Sequence, residues 1–136
     1  MYNIIILFVV AFTSFTVASQ ELDPTGTWEK VGTPMGEDGT GWILPHKQSA
    51  SNCGKDHSVF FADQTGQEVT YKEPCESKVR TFNWRLEGNL LTLSRGDRYV
   101  IWQIKSIEDD TMVVGIAPKP GSENLMYAVY KKKNNP

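Results

Sequence analysis

Between residues 80 and 105, two tight turns and one set of apolar residues agree on a single register. Residues 80–87 alternate, with Phe82, Trp84 and Leu86 on one face and Thr81, Asn83 and Arg85 on the other. That is the period-two pattern of a half-buried strand. A two-residue loop at Gly88-Asn89, residue types that tolerate positive φ, pairs Leu86 with Leu91 and Trp84 with Leu93. A second loop at Gly96-Asp97 sets Val100 opposite Leu93 and Trp102 opposite Leu91. Both turns send the bulky apolar groups to one side, and a slip of one residue would send them all to the other. The segment is therefore an antiparallel meander with one wet face. It contains no nucleophile, general base or metal cluster, so it constrains shape far more than chemistry.

The flanking sequence extends the meander. Residues 22–31 read as a turn and a first strand, with Trp28 needing a buried seat and Gly26 leaving room for a close approach. Residues 32–55, rich in Gly, Pro, Ser and Asn, form a long loop that carries the apolar island Trp42-Ile43-Leu44. Two readings stand for that island: a lid, led by Trp42 and Ile43, over an opening, or a plug in one end of the core. Residues 57–62 are a strand with Val59 and Phe61 on one face, and 67–72 return with Val69 and Tyr71. A three-residue loop between them pairs Val59 with Val69 and carries Cys53 opposite Cys75, whereas a four-residue loop with Gly66 in the left-handed region misses that match by one residue. After a turn at Glu108-Asp109-Asp110, residues 111–117 place Met112 opposite Ser106, Val114 opposite Ile104 and Ile116 opposite Trp102. The last strand, 124–132, is apolar on both faces, with Leu125, Tyr127 and Val129 on one and Met126, Ala128 and Tyr130 on the other. Lys131-Lys132-Lys133 reads as a solvated end.

Residues 1–19 stand apart. They carry no charged side chain and end an apolar run in Ala18-Ser19, the pattern of a secretory signal peptide, which leaves residues 20–136 as one domain. An uncleaved anchor is the alternative, although the run is shorter than the ~20 residues of a spanning helix. No Cys follows the run, so a bacterial lipoprotein anchor is not expected. With 14 Lys+Arg against 16 Asp+Glu, the chain lacks the basic field of a nucleic-acid binder. Cys53 and Cys75, the two cysteines of a chain with an export signal, are expected to form a disulfide worth about 3 kcal/mol. No Cys-x-x-Cys or His-x-x-x-His spacing supports a metal site, and no cofactor is expected.

About eight strands joined in sequence leave two edges to hide, and pairing the first with the last removes both. The expected fold is all-β: an eight-stranded antiparallel up-and-down barrel with a long loop after the first strand. The residues also carry a family resemblance. Gly26-x-Trp28 in the first strand, Cys53 before the second, Cys75 before Trp84-Arg85-Leu86, and the hairpin Gly88-Asn89-Leu90-Leu91-Thr92-Leu93 recur in this order in small secreted bacterial lipocalin-like domains, which the chain resembles from about residue 22 to 132. The Thr-Asp-Tyr segment of larger lipocalins is missing, as is their late Arg that packs on the early Trp, a place Lys131 or Lys132 is left to take.

The resemblance implies a secreted or periplasmic monomer that binds a small apolar molecule and is not an enzyme. The expected barrel lining is Trp28, Phe61, Tyr71, Phe82, Trp84, Leu93, Val100, Trp102, Val114 and Tyr127, with Val59, Leu86, Leu91, Ile104 and Met112 in the same interior. Tyr71, Tyr127 and His57 are the candidate hydrogen-bonding groups. The same large rings would also suit a completely filled core. In that case the loop 32–55, with Trp42 and Ile43 exposed, would make the protein an extracellular module that docks a protein or glycan. Glu73, His57, Asp109 and Asp110 show no acid–base or nucleophile spacing. No nucleic-acid partner is expected, nor membrane association once the signal is cut.

Overall fold

The computed structural model describes residues 22–50, 52–119 and 121–133; the signal peptide read in residues 1–19 lies outside them. Nine strands follow in order: β1 (Gly26–Pro34), β2 (Ile43–Pro45), β3 (His57–Phe60), β4 (Thr65–Lys72), β5 (Glu76–Glu87), β6 (Leu90–Arg95), β7 (Arg98–Glu108), β8 (Thr111–Ile116) and β9 (Met126–Lys132). All pairings are antiparallel between neighbours, and β9 pairs back onto β1. This closes an eight-stranded barrel of β1 and β3–β9, with no free edge in the ring. The three-residue β2 is additional and lies along the last residues of β1. A short 3₁₀ turn, Glu37–Gly39, is the one helical element among the described residues.

The central meander has the expected register. Leu86 faces Leu91, Trp84 faces Leu93, Leu91 faces Trp102 and Leu93 faces Val100, with Gly88 and Gly96 taking the positive φ that their turns require. The interior cluster joins Trp28, Phe60, Phe82, Trp84, Leu91, Leu93, Trp102, Ile104, Met112, Val114, Ala128 and Tyr130. Phe60 stands at its centre, with ring centroids 5.3, 6.0 and 6.2 Å from those of Phe82, Trp84 and Trp102 in edge-to-face contact.

Two registers differ from expectation. In the β3–β4 hairpin, Val59 faces Gln67 and not Val69, because Phe60 pairs with Gly66. The turn is built earlier than Gly66. Gln64 takes the left-handed conformation at φ 68, and Asp63 accepts bonds from the Thr65 amide and hydroxyl at 3.0 and 2.6 Å. Gly66 is released from the turn into the strand, where a Cβ would overlap the Phe82 ring. Phe60, not Phe61, is thereby the buried residue, and Phe61 is 42% exposed. In the β7–β8 hairpin, Asp109 and Asp110 both have positive φ and make a two-residue turn. A bulge between Ile104 and Ser106 absorbs the extra residue. Ile107, not Ser106, consequently faces Met112, while Ile104 and Trp102 keep their partners Val114 and Ile116.

Cys53 and Cys75 form a disulfide, although the pairing of Val59 with Val69 that brought them opposite each other does not occur. It ties the loop before β3 to the β4–β5 turn. A second tie is the Asp56 carboxylate, which accepts from the Tyr71 amide at 3.1 Å and lies 3.0 Å from His46 Nε2.

Candidate functional site

The two ends of the barrel differ. At one end, Trp28 is fully buried, its indole N–H donates to the Pro24 carbonyl at 2.8 Å, and Leu22 packs beneath the core. The Trp84 indole N–H is shared between the carbonyls of Phe61 and Thr65 at 3.1 and 3.0 Å, which fixes it to the β3–β4 turn at this same end. Lys132 lies over Trp28, with Nζ 5.7 Å from the ring, and its chain crosses where Gly26 lacks a Cβ. A lysine thus takes the place that the late Arg of larger lipocalins fills. With Leu91, Ile104, Met112 and Val114 fully buried above it, this half is filled by side chains.

The other end is open. A cavity of about 240 Å³ is lined by Glu68, Phe82, Leu93, Arg95, Arg98, Val100 and Trp102, among others. A second of about 180 Å³ shares Glu68, Phe82, Leu93 and Trp102, and continues to Lys30, His46, Asp56, His57, Thr70 and Tyr130. The shared residues make the two one opening with an apolar floor. Trp102 and Tyr130 stack in that floor, with centroids 5.3 Å apart. A larger depression of about 440 Å³, lined by Asn83, Arg85, Thr92, Tyr99 and Ile101, is a hollow on the outer wall, since these positions alternate with the interior ones.

Around the opening the usual alternation is inverted. The register that puts Phe60, Gly66 and Phe82 inside also puts Ser58, Glu68, Thr70, Lys78 and Arg80 on the interior face of β3, β4 and early β5. Val59, Phe61, Tyr71 and Val79 lie on the opposite face. Apart from Val69, which is buried at the edge of the second cavity, apolar residues point outward here and polar ones take the interior-facing positions. Tyr130 is 6% exposed. Its hydroxyl makes no hydrogen bond among the described residues, yet no fully buried polar side-chain atom is left unsatisfied, so the oxygen must reach the cavity. Burial first, and then the charge of Glu68, hold this phenol above the ordinary tyrosine range; it remains a protonated donor.

Of the residues expected to line the barrel, the structure brings Phe82, Leu93, Val100 and Trp102 together at the opening. His57 reaches only the margin of the second cavity, its ring 6.1 Å from that of Tyr71 on the outward face. Trp28, Trp84 and Val114 belong to the filled half. Phe61 and Val59 turn outward for the reason given above. Tyr71 also lies outside the barrel, against the disulfide-tied loop, where a Cβ on Gly54 would sit 2.9 Å from its ring. Tyr127 is on the outer face too, because β9 presents Ala128 and Tyr130 to Val114 and Met112; Lys105 Nζ lies 5.6 Å from its ring. Trp42 is 66% exposed, and Ile43 and Leu44 are exposed beside it, so this island does not plug the core. Lys30, Glu68, Arg95, Arg98 and Tyr130 are additional lining residues. In-strand alternation carried a signal for three of them, since Lys30, Arg95 and Arg98 lie two residues from Trp28, Leu93 and Val100, whereas Tyr130 sits on a strand whose two faces are both apolar.

No group of His, Cys, Asp and Glu suited to a metal ion occurs among the described residues, and no helix among them is long and apolar enough to cross a membrane. The disulfide is consistent with an extracellular location. The sequence model of a family described as a lipocalin-like domain matches residues 25–114, from just before β1 into β8. No curated protein sequence matches the chain.

Proposed function

The chain belongs to the lipocalin-like domain family, and from that premise we propose that it is an exported, non-enzymatic carrier that holds a small, largely apolar molecule in the open end of its barrel. Residues 1–19 act as the signal peptide and 20–136 as the mature domain in this reading. The observation that supports it is the division of the interior: one half is filled, while Phe82, Leu93 and Trp102 floor an opening in the other. At about 240 Å³ the larger cavity falls just short of the ~300–1,000 Å³ typical of ligand sites, so the occupant is small. Each covered methylene contributes about 0.8 kcal/mol, and about five of them give a Kd on the order of 1 mM before any polar contact is added.

The test is a titration of the purified protein with the neutral fluorescent probe N-phenyl-1-naphthylamine, followed by displacement with 1-octanol. Saturable binding, weakened by Trp102→Ala in a variant that keeps its circular dichroism, is expected. A failure of the probe to bind would remove the carrier reading. The second reading, an extracellular docking module, is favoured by one observation: Trp42, Met35 and Leu44 are all exposed on the loop that carries β2. Trp42→Ala should leave probe binding unchanged under the carrier reading, whichever surface that loop serves.

A further inference from the structure

The charges at the open end do not follow those of the chain as a whole. The protein carries a formal net charge of −2, yet Lys30, Arg95 and Arg98 line the opening. Lys78 and Arg80 occupy the interior-facing positions of β5, opposite Thr70 and Glu68. None of these five cations belongs to an ion pair among the described residues, although Arg95 Nε donates to the Thr81 carbonyl at 3.0 Å. The opposing charge is small. Asp56 is engaged by His46 and by the Tyr71 amide, which leaves Glu68 as the acidic lining residue without such partners.

Like charges gathered at one end repel one another, and they stand near the Tyr130 hydroxyl, a protonated donor that reaches the cavity and has no hydrogen-bond partner among the described residues. Lys30 and Tyr130 are direct partners across β1 and β9, so one cation and the donor are on adjacent strands above the Trp102 ring. Building on the carrier reading, we propose that the ligand is a small anionic amphiphile whose apolar part lies on Phe82, Leu93 and Trp102 and whose acidic head is held between the cationic rim and the Tyr130 hydroxyl. Arginine and lysine both suit a carboxylate or phosphate-type head. Glu68 opposes the head and weakens its binding.

The proposal is tested by competition for the neutral probe among octanoate, 1-octanol and octylammonium, which share one apolar body. Octanoate should compete at about one-tenth the concentration of octanol, and octylammonium should be weakest. This order should collapse at about 1 M salt, where screening acts within about 3 Å. Arg98→Gln and Lys30→Gln should each weaken octanoate several-fold more than they weaken octanol. Glu68→Gln should strengthen octanoate, a gain that a misfolded variant cannot produce.

The outcomes separate the two readings. If the three competitors are equal, the apolar pocket stands and the anion preference is overturned. If the probe itself does not bind, the carrier reading falls first and this inference with it. Preferential octanoate binding that none of the three substitutions changes would place the head elsewhere and overturn the assignment. Phosphatidylglycerol vesicles present similar charge on a lipid surface. Co-sedimentation with them as tight as octanoate binding would make the rim a membrane contact and likewise overturn the proposal.

Discussion

Gly66→Ala tests the wall on which the open end is built. In the structure this glycine lies in β4 between Phe60 and Phe82. A Cβ there would overlap the Phe82 ring and lie 2.6 Å from the Val59 carbonyl oxygen. Phe82 is buried and packed edge-on against Phe60 at 5.3 Å, so it has little room to withdraw. Overpacking of this kind costs about 1–3 kcal/mol, and Ala regains about 0.4–1 kcal/mol by restricting the unfolded chain. A net loss of about 1–2 kcal/mol is expected, or roughly 4–8 °C in Tm for a domain of this size. The decisive comparison is the same substitution in a Phe82→Leu background, with stability read from urea midpoints. The smaller side chain should recover part of the loss, giving a coupling of at least about 0.5 kcal/mol. If Gly66→Ala costs the same in both backgrounds, Gly66 does not seat Phe82 and the inverted wall is wrong.

Other consequences are independent of that wall. Replacing both cysteines by Ser opens a link between positions separated by 22 residues; it should cost about 3 kcal/mol, and a change in urea midpoint equivalent to less than about 1 kcal/mol would show that the link does not constrain the unfolded chain. The Tyr130 phenol is held above its ordinary range by burial, then by Glu68. Ionisation is therefore easier in the unfolded chain: the contribution to stability is intact below about pH 10 and is lost as pH rises beyond it. Tyr130→Phe should flatten that alkaline slope in urea midpoints measured from about pH 8 to pH 11. Trp42→Ala, at a side chain 66% exposed, should alter stability by no more than about 0.5 kcal/mol, and a larger loss in thermal melts would mean that the island is packed.

What the sequence disclosed, and what it concealed, divides along the barrel. From the second half of β5 to β7 the turns are short, their residues match the required φ, and large apolar groups repeat every second position, so local and long-range preferences agree. Trp102, Leu93 and Phe82 could be placed inside on that ground. The β3–β4 hairpin misleads because Val59, Phe61 and Tyr71 alternate with the buried Val69 as a core face should, while the interior-facing positions, Ser58, Glu68 and Thr70, look solvated. Gly66 invited a turn when its role is to seat a ring. In β9 both faces are apolar, and the loop 117–125 before it has no tight-turn register to choose between Tyr127 and Tyr130. Apolar-in, polar-out reasoning failed along β3, β4 and early β5, where polar residues take the interior-facing positions toward the open end.

The four tryptophans give the most direct measurement of the account. Trp28 and Trp84 donate their indole N–H groups to carbonyls at the filled end, Trp42 stands exposed on the loop, and Trp102 floors the opening. In a ¹H–¹⁵N NMR titration of the labelled protein with a saturating small amphiphile, the Trp102 indole resonance should shift saturably while those of Trp28, Trp84 and Trp42 hold their positions. Saturable shifts centred on Trp28 and Trp84, or on Trp42 alone, would contradict a barrel filled at one end and open to a ligand at the other.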